Sequence, residues 1–361
     1  MSTTEILEIK QLARQFAEAE LRPHVEQWDH DARIDESALA QLAELGFFGM
    51  LIPEAYGGME FDLPTYVAVL EELAWGEPAV AYIVATTNHV ARTIMQHGSD
   101  EQQRRWLEPM ARGETIACIA VAEEAAGSDV TALSTRAQRA GDGWTITGEK
   151  KWVSNGRSAQ LALVLARAGN DALSAFLVPT DAAGYQVGER ATTMGFRPLE
   201  VLTVKLDGVR VAAEDELQLP PERINQTLGM AAIAVGIAQA ALDHAVGYAD
   251  IREQFQTKLR DFEGLQFKLA EMATRVASAR ALLLQAAADP TEQNRAMAKY
   301  LATENAMWVT TNAVQIYGGY GYMRDYPVEK LMRDAKATEL LEGANELHKV
   351  LIARELYEQP E

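Results

Sequence analysis

The sequence predicts an α+β chain in three parts. A helical domain spans residues 1–113, a middle antiparallel β-domain spans 114–217, and a bundle of long helices spans 218–361. Three observations lead there. Apolar residues recur at helical spacing before about residue 112 and again after about 222. Between those limits lie short β-rich runs separated by turn residues. Strands enclosed between two helical regions in chain order read as an α+β arrangement rather than alternating βα units.

In the first part, charged and aliphatic residues alternate from Ile6 to Glu26, and Pro23 is expected to bend or interrupt that helix near its end. Pro53-Glu54-Ala55-Tyr56-Gly57-Gly58 is a breaker cluster and reads as a loop. Ser99 followed by Gln102 fits a capping box for the helix carrying Trp106 and Leu107. His89 sits in an apolar helical run with no second histidine at ligand spacing, so it reads as a packed or capping residue and no metal site is expected.

In the middle part, Thr131–Gln138, Trp144–Thr147, Leu161–Ala166, Ala175–Val178 and Val201–Leu206 read as strands, with Gly141-Asp142-Gly143 as a hairpin turn. In the last part, Ala231, Val235, Ala238, Leu242, Val246 and Ala249 mark one face of a long helix. Leu265, Leu269, Met272, Val276, Ala279 and Leu283 mark the next. The alanines allow close approach, and an up-and-down bundle is the natural packing.

A formal net charge of -19 argues against nucleic acid and anionic membrane surfaces as partners. The single cysteine, Cys118, permits no intrachain disulfide or thiolate cluster, and it reads as a core residue in a reducing compartment. Met1-Ser2-Thr3-Thr4-Glu5 lacks the features of a signal peptide, and the apolar run Met230–Leu242 is short for a membrane span and contains Gln239. A cytoplasmic protein is the expectation.

Four stretches carry the chemistry. Leu340-Leu341-Glu342-Gly343-Ala344-Asn345-Glu346 places a carboxylate after two leucines and before a glycine. Apolar neighbours that exclude water favour a carboxylate's work as a general base, and glycine lets a ligand approach the backbone closely. Taken alone, a glutamate in so acidic a chain is more often a solvated surface residue. Ala126-Gly127-Ser128-Asp129 closes an apolar strand and offers backbone N–H groups and a hydroxyl to an anion. Lys151-Trp152-Val153-Ser154-Asn155-Gly156 puts an aromatic ring two residues from a hydroxyl, on one face of a strand. Gly318-Gly319-Tyr320-Gly321 lies among helices and follows no strand, so it is not a dinucleotide fingerprint.

Together these stretches resemble the acyl-CoA dehydrogenase family. The match runs through Pro53-Glu54 with Gly57-Gly58, Glu123 with Gly127-Ser128-Asp129, and Gly148-x-Lys150-x-Trp152. It continues through Arg252-x-x-Phe255, Gln315-x-x-Gly318-Gly319-x-Gly321, Arg333-Asp334-Ala335 and Glu342-Gly343. The resemblance implies that the last part is a four-helix bundle and that FAD lies between it and the β-domain. It implies α,β-dehydrogenation of an acyl-CoA thioester. Glu342 would take the α-proton, its backbone N–H would hold the thioester oxygen, and the β-hydrogen would pass as hydride to flavin N5.

Residue by residue, the resemblance places Val121, Ala122, Ser128, Trp152, Val153, Ser154 and Asn345 at the cofactor, and Ser128, Leu341 and Gly343 at the substrate. Arg252, Phe255, Gln315, Gly318 and Gly319 would reach the FAD of a neighbouring subunit, which implies a homo-oligomer, dimer or tetramer. Electron-transfer flavoprotein is the implied acceptor. Three flavin-side groups depart from the pattern: Ala122-Glu123-Glu124 where Thr-Glu-Pro is usual, Ala344 for a threonine, and Glu263 for a glutamine. Gln226-Thr227 stand where many members carry an arginine for the pantetheine arm, with Arg223 one turn earlier as a substitute. That departure brings in an acyl group on a carrier protein as an alternative substrate. A flavin-dependent monooxygenase on the same fold is a further alternative, opposed by the presence of Glu342. A flavin-free binding protein is the third.

Overall fold

The computed structural model describes residues 3–169, 171–219 and 224–358. Six α-helices come first: α1 (Thr3–Phe16), α2 (Val25–Asp31), α3 (Glu36–Glu44), α4 (Leu63–Gly76), α5 (Pro78–His97) and α6 (Asp100–Ala111). The helix expected from Ile6 to Glu26 is broken into α1, a π-helical turn at Ala17–Leu21, a 3-10 turn at Arg22–His24 containing Pro23, and α2. Proline supplies no N–H and its ring crowds the preceding turn, so the chain restarts there. The capping box at α6 forms: the Gln102 N–H donates to Ser99 Oγ, and the Ser99 N–H donates to Gln102 Oε1 at 2.6 Å.

Eight strands follow: β1 (Ala117–Ala120), β2 (Arg136–Ala140), β3 (Gly143–Ser154), β4 (Leu161–Ala168), β5 (Ala172–Pro179), β6 (Tyr185–Arg190), β7 (Val201–Ala212) and β8 (Glu216–Leu217). They form one sheet in the order β6-β7-β3-β2-β4-β5-β8, with β1 added alongside β4. The β-domain is mixed rather than wholly antiparallel, because β4 runs parallel to both β1 and β2. The two-residue turn at Gly141-Asp142 joins β2 to β3, with Gly141 at φ +67°. Along β4, alternate residues enter two cores. Leu161, Leu163 and Leu165 pack with Ile94, Trp106 and Met110 of the N-terminal helices. Ala162, Val164 and Ala166 meet Ile146, Phe176 and Val204 within the sheet. Burial on both faces explains its unbroken apolar sequence. Cys118 is buried in that second core, where burial pushes its thiol up to about 12.

The last part contains α7 (Thr227–Ile251), a small hairpin of β9 (Glu253–Gln254) and β10 (Thr257–Lys258), then α8 (Glu263–Ala288), α9 (Glu292–Tyr317), α10 (Pro327–Leu340) and α11 (Asn345–Glu358). Helices α7 to α10 form the bundle, and α7 also packs on α4 and α5. The N-terminal helices and the bundle therefore share one hydrophobic core. Gly236 makes this possible: a Cβ there would stand 2.4 Å from the Glu71 carbonyl oxygen of α4. Helix α7 is long and apolar enough to cross a membrane and is mostly buried inside the protein. Arg333 on α10 donates to both carboxylate oxygens of Asp29 on α2, at 3.1 and 2.8 Å, and joins the same two regions through a largely buried ion pair.

Candidate active site

A cavity of about 700 Å³ opens between the β-domain and the turn joining α10 to α11. Val121, Ala122, Gly127 and Ser128 line it from the loop after β1, and Trp152 and Ser154 from β3. Tyr82 and Thr86 of α5 line it beside Thr227 at the start of α7, and Leu341, Glu342, Gly343 and His348 close it from the bundle.

Glu342 and Gly343 both hold left-handed backbone, at φ +56° and +87°. For glutamate this conformation is strained, and strain of this kind persists only where surrounding contacts enforce it. The contacts are visible. Tyr82 Oη donates to Glu342 Oε1 at 2.7 Å, the Gln226 N–H donates to Oε2 at 2.9 Å, and Gln226 Nε2 donates to Oε1 at 3.3 Å. Gln226 Nε2 also donates to Thr86 Oγ1 at 2.6 Å. Burial, and then the adjacent Glu342 carboxylate, raise the Tyr82 hydroxyl well above its ordinary value, so Tyr82 stays protonated and donates. The His348 ring lies with Nε2 3.1 Å from the Glu342 carbonyl oxygen. Burial, and then Lys299, push His348 down to about 4, so it is a neutral ring whose Nε2–H donates.

Leu340 and Leu341 line the same cavity as Glu342, Leu340 61% exposed and Leu341 half-buried. Tyr82 and Gln226, distant in sequence, hold the carboxylate itself.

Trp152 and Ser154 reach the cavity together, as their two-residue spacing predicts, but by way of a bulge. The β3–β7 register shifts between Lys150 and Val153, and Trp152 takes φ +54°. Bulges re-aim side chains, and this one leaves the indole 53% exposed within the cavity. Beneath it lies a buried ion pair: Lys150 Nζ donates to Glu123 Oε1 at 2.7 Å and to the Val121 carbonyl at 2.9 Å. Glu123 also accepts from the Ser134 N–H, the Ser134 hydroxyl and the Thr135 N–H. Burial opposes the Glu123 charge, but Lys150 and these donors outweigh it and hold the carboxyl at about 2. Burial, partly offset by Glu123, lowers Lys150 to about 8. The pair fixes the loop that presents residues 121–128 to the cavity.

Other expected site residues lie elsewhere. Val153 is 1% exposed and turns its side chain into the sheet core, because the strand's alternation points it away from its two neighbours. Asn345 is buried behind the cavity, where its Oδ1 accepts from Lys299 and Thr303. Arg223 lies outside the described residues. Arg252, Gly318 and Gly319 line a second cavity of about 440 Å³ with Tyr248, Tyr317 and Tyr320 at one end of the bundle. The Arg252 guanidinium lies 5.3 Å from the centre of the Tyr320 ring. Phe255 is 89% exposed beyond that cavity, and Gln315 is exposed on α9.

A helical domain, a β-domain and a helical bundle that close on a glutamate-bearing cavity define the acyl-CoA dehydrogenase fold. Family models for the acyl-CoA dehydrogenase N-terminal, middle and C-terminal domains match residues 3–114, 118–209 and 208–357. The chain belongs to the acyl-CoA dehydrogenase family and is an oxidoreductase. It is 36% identical to the mitochondrial short-chain specific acyl-CoA dehydrogenase of Sus scrofa, over 96% of this chain and 89% of that protein. Butyryl-CoA dehydrogenase from Megasphaera elsdenii superposes with a TM-score of 0.95 at 33% identity, covering 99% of both chains. A prolyl acyl carrier protein oxidase superposes with a TM-score of 0.90 at 27% identity, over 99% of this chain and 100% of the other.

Proposed function

We propose that the protein catalyses FAD-dependent α,β-dehydrogenation of a short acyl-CoA thioester, with Glu342 as the base. The observation that carries this reading is the Glu342 carboxylate, held by Tyr82 and Gln226 at the cavity wall across from the Trp152–Ser154 segment. The residues present suit FAD. Trp152 offers an exposed ring face in the cavity, and Ser128 and Ser154 offer hydroxyls. Arg252 with Gly318-Gly319 offers a cationic, open-backboned surface for phosphate in the second cavity. When bound, FAD supplies the two-electron acceptor that takes the β-hydrogen as hydride.

The protein's own residues do the rest. The thioester carbonyl acidifies the α-carbon, and Glu342 removes that proton. The Glu342 backbone N–H donates to the thioester oxygen and stabilises the charge that develops on it. Tyr82 and Gln226 orient the carboxylate. The second cavity lies beside exposed Phe255, Ile251 and Tyr322, which fits a homo-oligomer in which a neighbouring subunit's cofactor reaches this surface. Electron-transfer flavoprotein is the proposed oxidant of the reduced protein.

A carrier-protein thioester is the second reading. It is favoured by Thr227, which lines the cavity where a pantetheine-binding arginine is usual, and by the likeness to a carrier-protein oxidase. The test is anaerobic reduction of the purified flavoprotein by matched thioesters. Bleaching by butyryl-CoA, weakening with chain length, supports the first reading. Bleaching by the same acyl group only on a carrier protein replaces it with the second. A purified protein without flavin absorbance ends both.

A further inference from the structure

Lys299 stands on α9 with 0% exposure. Its ammonium donates to the Glu339 carbonyl at 3.2 Å, the Gly343 carbonyl at 2.7 Å and Asn345 Oδ1 at 2.9 Å. An ammonium has three donors, and all three are taken by neutral oxygens rather than by a carboxylate. Burying a cation in this way is costly. Burial pushes Lys299 down to about 8, with Glu342, Glu339 and Glu346 acting in the opposite sense.

The three acceptors have one thing in common: they bracket Glu342, from the last turn of α10 through the joining segment to the first residue of α11. From one helical turn along α9, Thr303 Oγ1 donates to the same Asn345 Oδ1 at 3.0 Å. From the α11 side, His348 donates to the Glu342 carbonyl. Lys299, Thr303 and His348 thus grip the backbone and first side chain around the turn, whereas Tyr82 and Gln226 grip the carboxylate itself. The turn they hold is the one that carries two consecutive left-handed residues.

We infer that Lys299 is a positioning residue for Glu342: its ammonium clamps the 339–345 turn in the left-handed conformation that aims the carboxylate into the cavity. The inference rests on the reading of Glu342 as the base. Without the clamp the turn can relax toward ordinary backbone angles, and a displacement of the base by about 1 Å can cost up to about a hundredfold in rate.

The test uses the full-length, flavin-loaded protein and three variants: Lys299→Met, Thr303→Val and Glu342→Gln. Three quantities are read: the rate of flavin reduction at saturating thioester, the KM, and amide hydrogen exchange over residues 340–346. Lys299→Met is expected to slow reduction by about tenfold or more with KM little changed, and to speed exchange in that segment. Thr303→Val, which keeps the buried charge, is expected to do the same to a smaller extent. A rate or an exchange profile for Lys299→Met equal to the unaltered protein overturns the inference. Should Lys299→Met fail to fold, Thr303→Val decides: slower reduction with faster exchange supports the clamp, and unaltered values overturn it. The control separates the two levels. Loss of reduction in Glu342→Gln beside normal Lys299→Met overturns the clamp alone, whereas reduction persisting in Glu342→Gln removes the base and the clamp together.

Discussion

Replacing Lys150 with methionine tests how the cavity loop is built. The ammonium is fully buried and makes two hydrogen bonds, to Glu123 Oε1 and the Val121 carbonyl. Its loss leaves the Glu123 carboxylate buried with three donors, from Ser134 and Thr135. Breaking one side of a buried pair costs about 3–5 kcal/mol, and the surviving donors place this case at the lower end, about 3 kcal/mol. Glu123→Gln should cost a similar amount, and the double variant should lose less than the sum by about 1–3 kcal/mol, because each single change strands the other group. The assay is urea unfolding followed by tryptophan fluorescence. The pH dependence has a sign. Glu123 folds with its carboxyl at about 2 against an ordinary 4.5, so its contribution is complete above pH 4.5 and is lost as the pH falls toward 2. Lys150 acts oppositely: lowered to about 8 from 10.5, it weakens the fold below pH 8, and this is relieved as the pH rises toward 10.5. A Lys150→Met protein as stable as the original, or strictly additive single variants, would refute the reasoning.

Two further substitutions separate packing from chemistry. Gly236→Ala sets a Cβ 2.4 Å from the Glu71 carbonyl oxygen and 2.7 Å from Ala74 Cβ. It should destabilise the fold by about 1–3 kcal/mol while leaving the rate per folded molecule unchanged, as thermal unfolding and an active-site titration would show. Gly343→Ala sets a methyl group at φ +87° and 3.0 Å from His348 Nε2, against the contact that holds the Glu342 carbonyl. It should cost about 1–3 kcal/mol and slow flavin reduction as well, measured by calorimetry and stopped-flow absorbance.

The α–β–α order was legible because helical spacing survives in α8, where Met272, Val276, Ala279 and Leu283 are buried, and alternation survives in β7, where Leu202, Val204 and Leu206 are buried. Strand β6 was not. Tyr185–Arg190 is a largely exposed edge strand whose polar residues leave little apolar alternation to read. The parallel pairing of β4 with β1 and β2 is set by packing, not by local pattern. Glu342 stands out only through the resemblance that runs along the whole chain, because its immediate neighbours suit a solvated surface glutamate as well. What holds the carboxylate comes from α5 and from the residue before α7, which are 260 and 116 positions away in the chain. Lys299 in the sequence is one lysine among alanines on a helix. Only the fold shows that its ammonium ends on the turn that bears the base.

The central claim is that one side chain, Glu342, removes the substrate's α-proton. The most direct measurement is anaerobic stopped-flow mixing of flavin-loaded Glu342→Gln protein with a thioester that bleaches the original. The account predicts retained flavin, retained thioester binding and bleaching slowed by at least about a hundredfold. Bleaching at the original rate would contradict it.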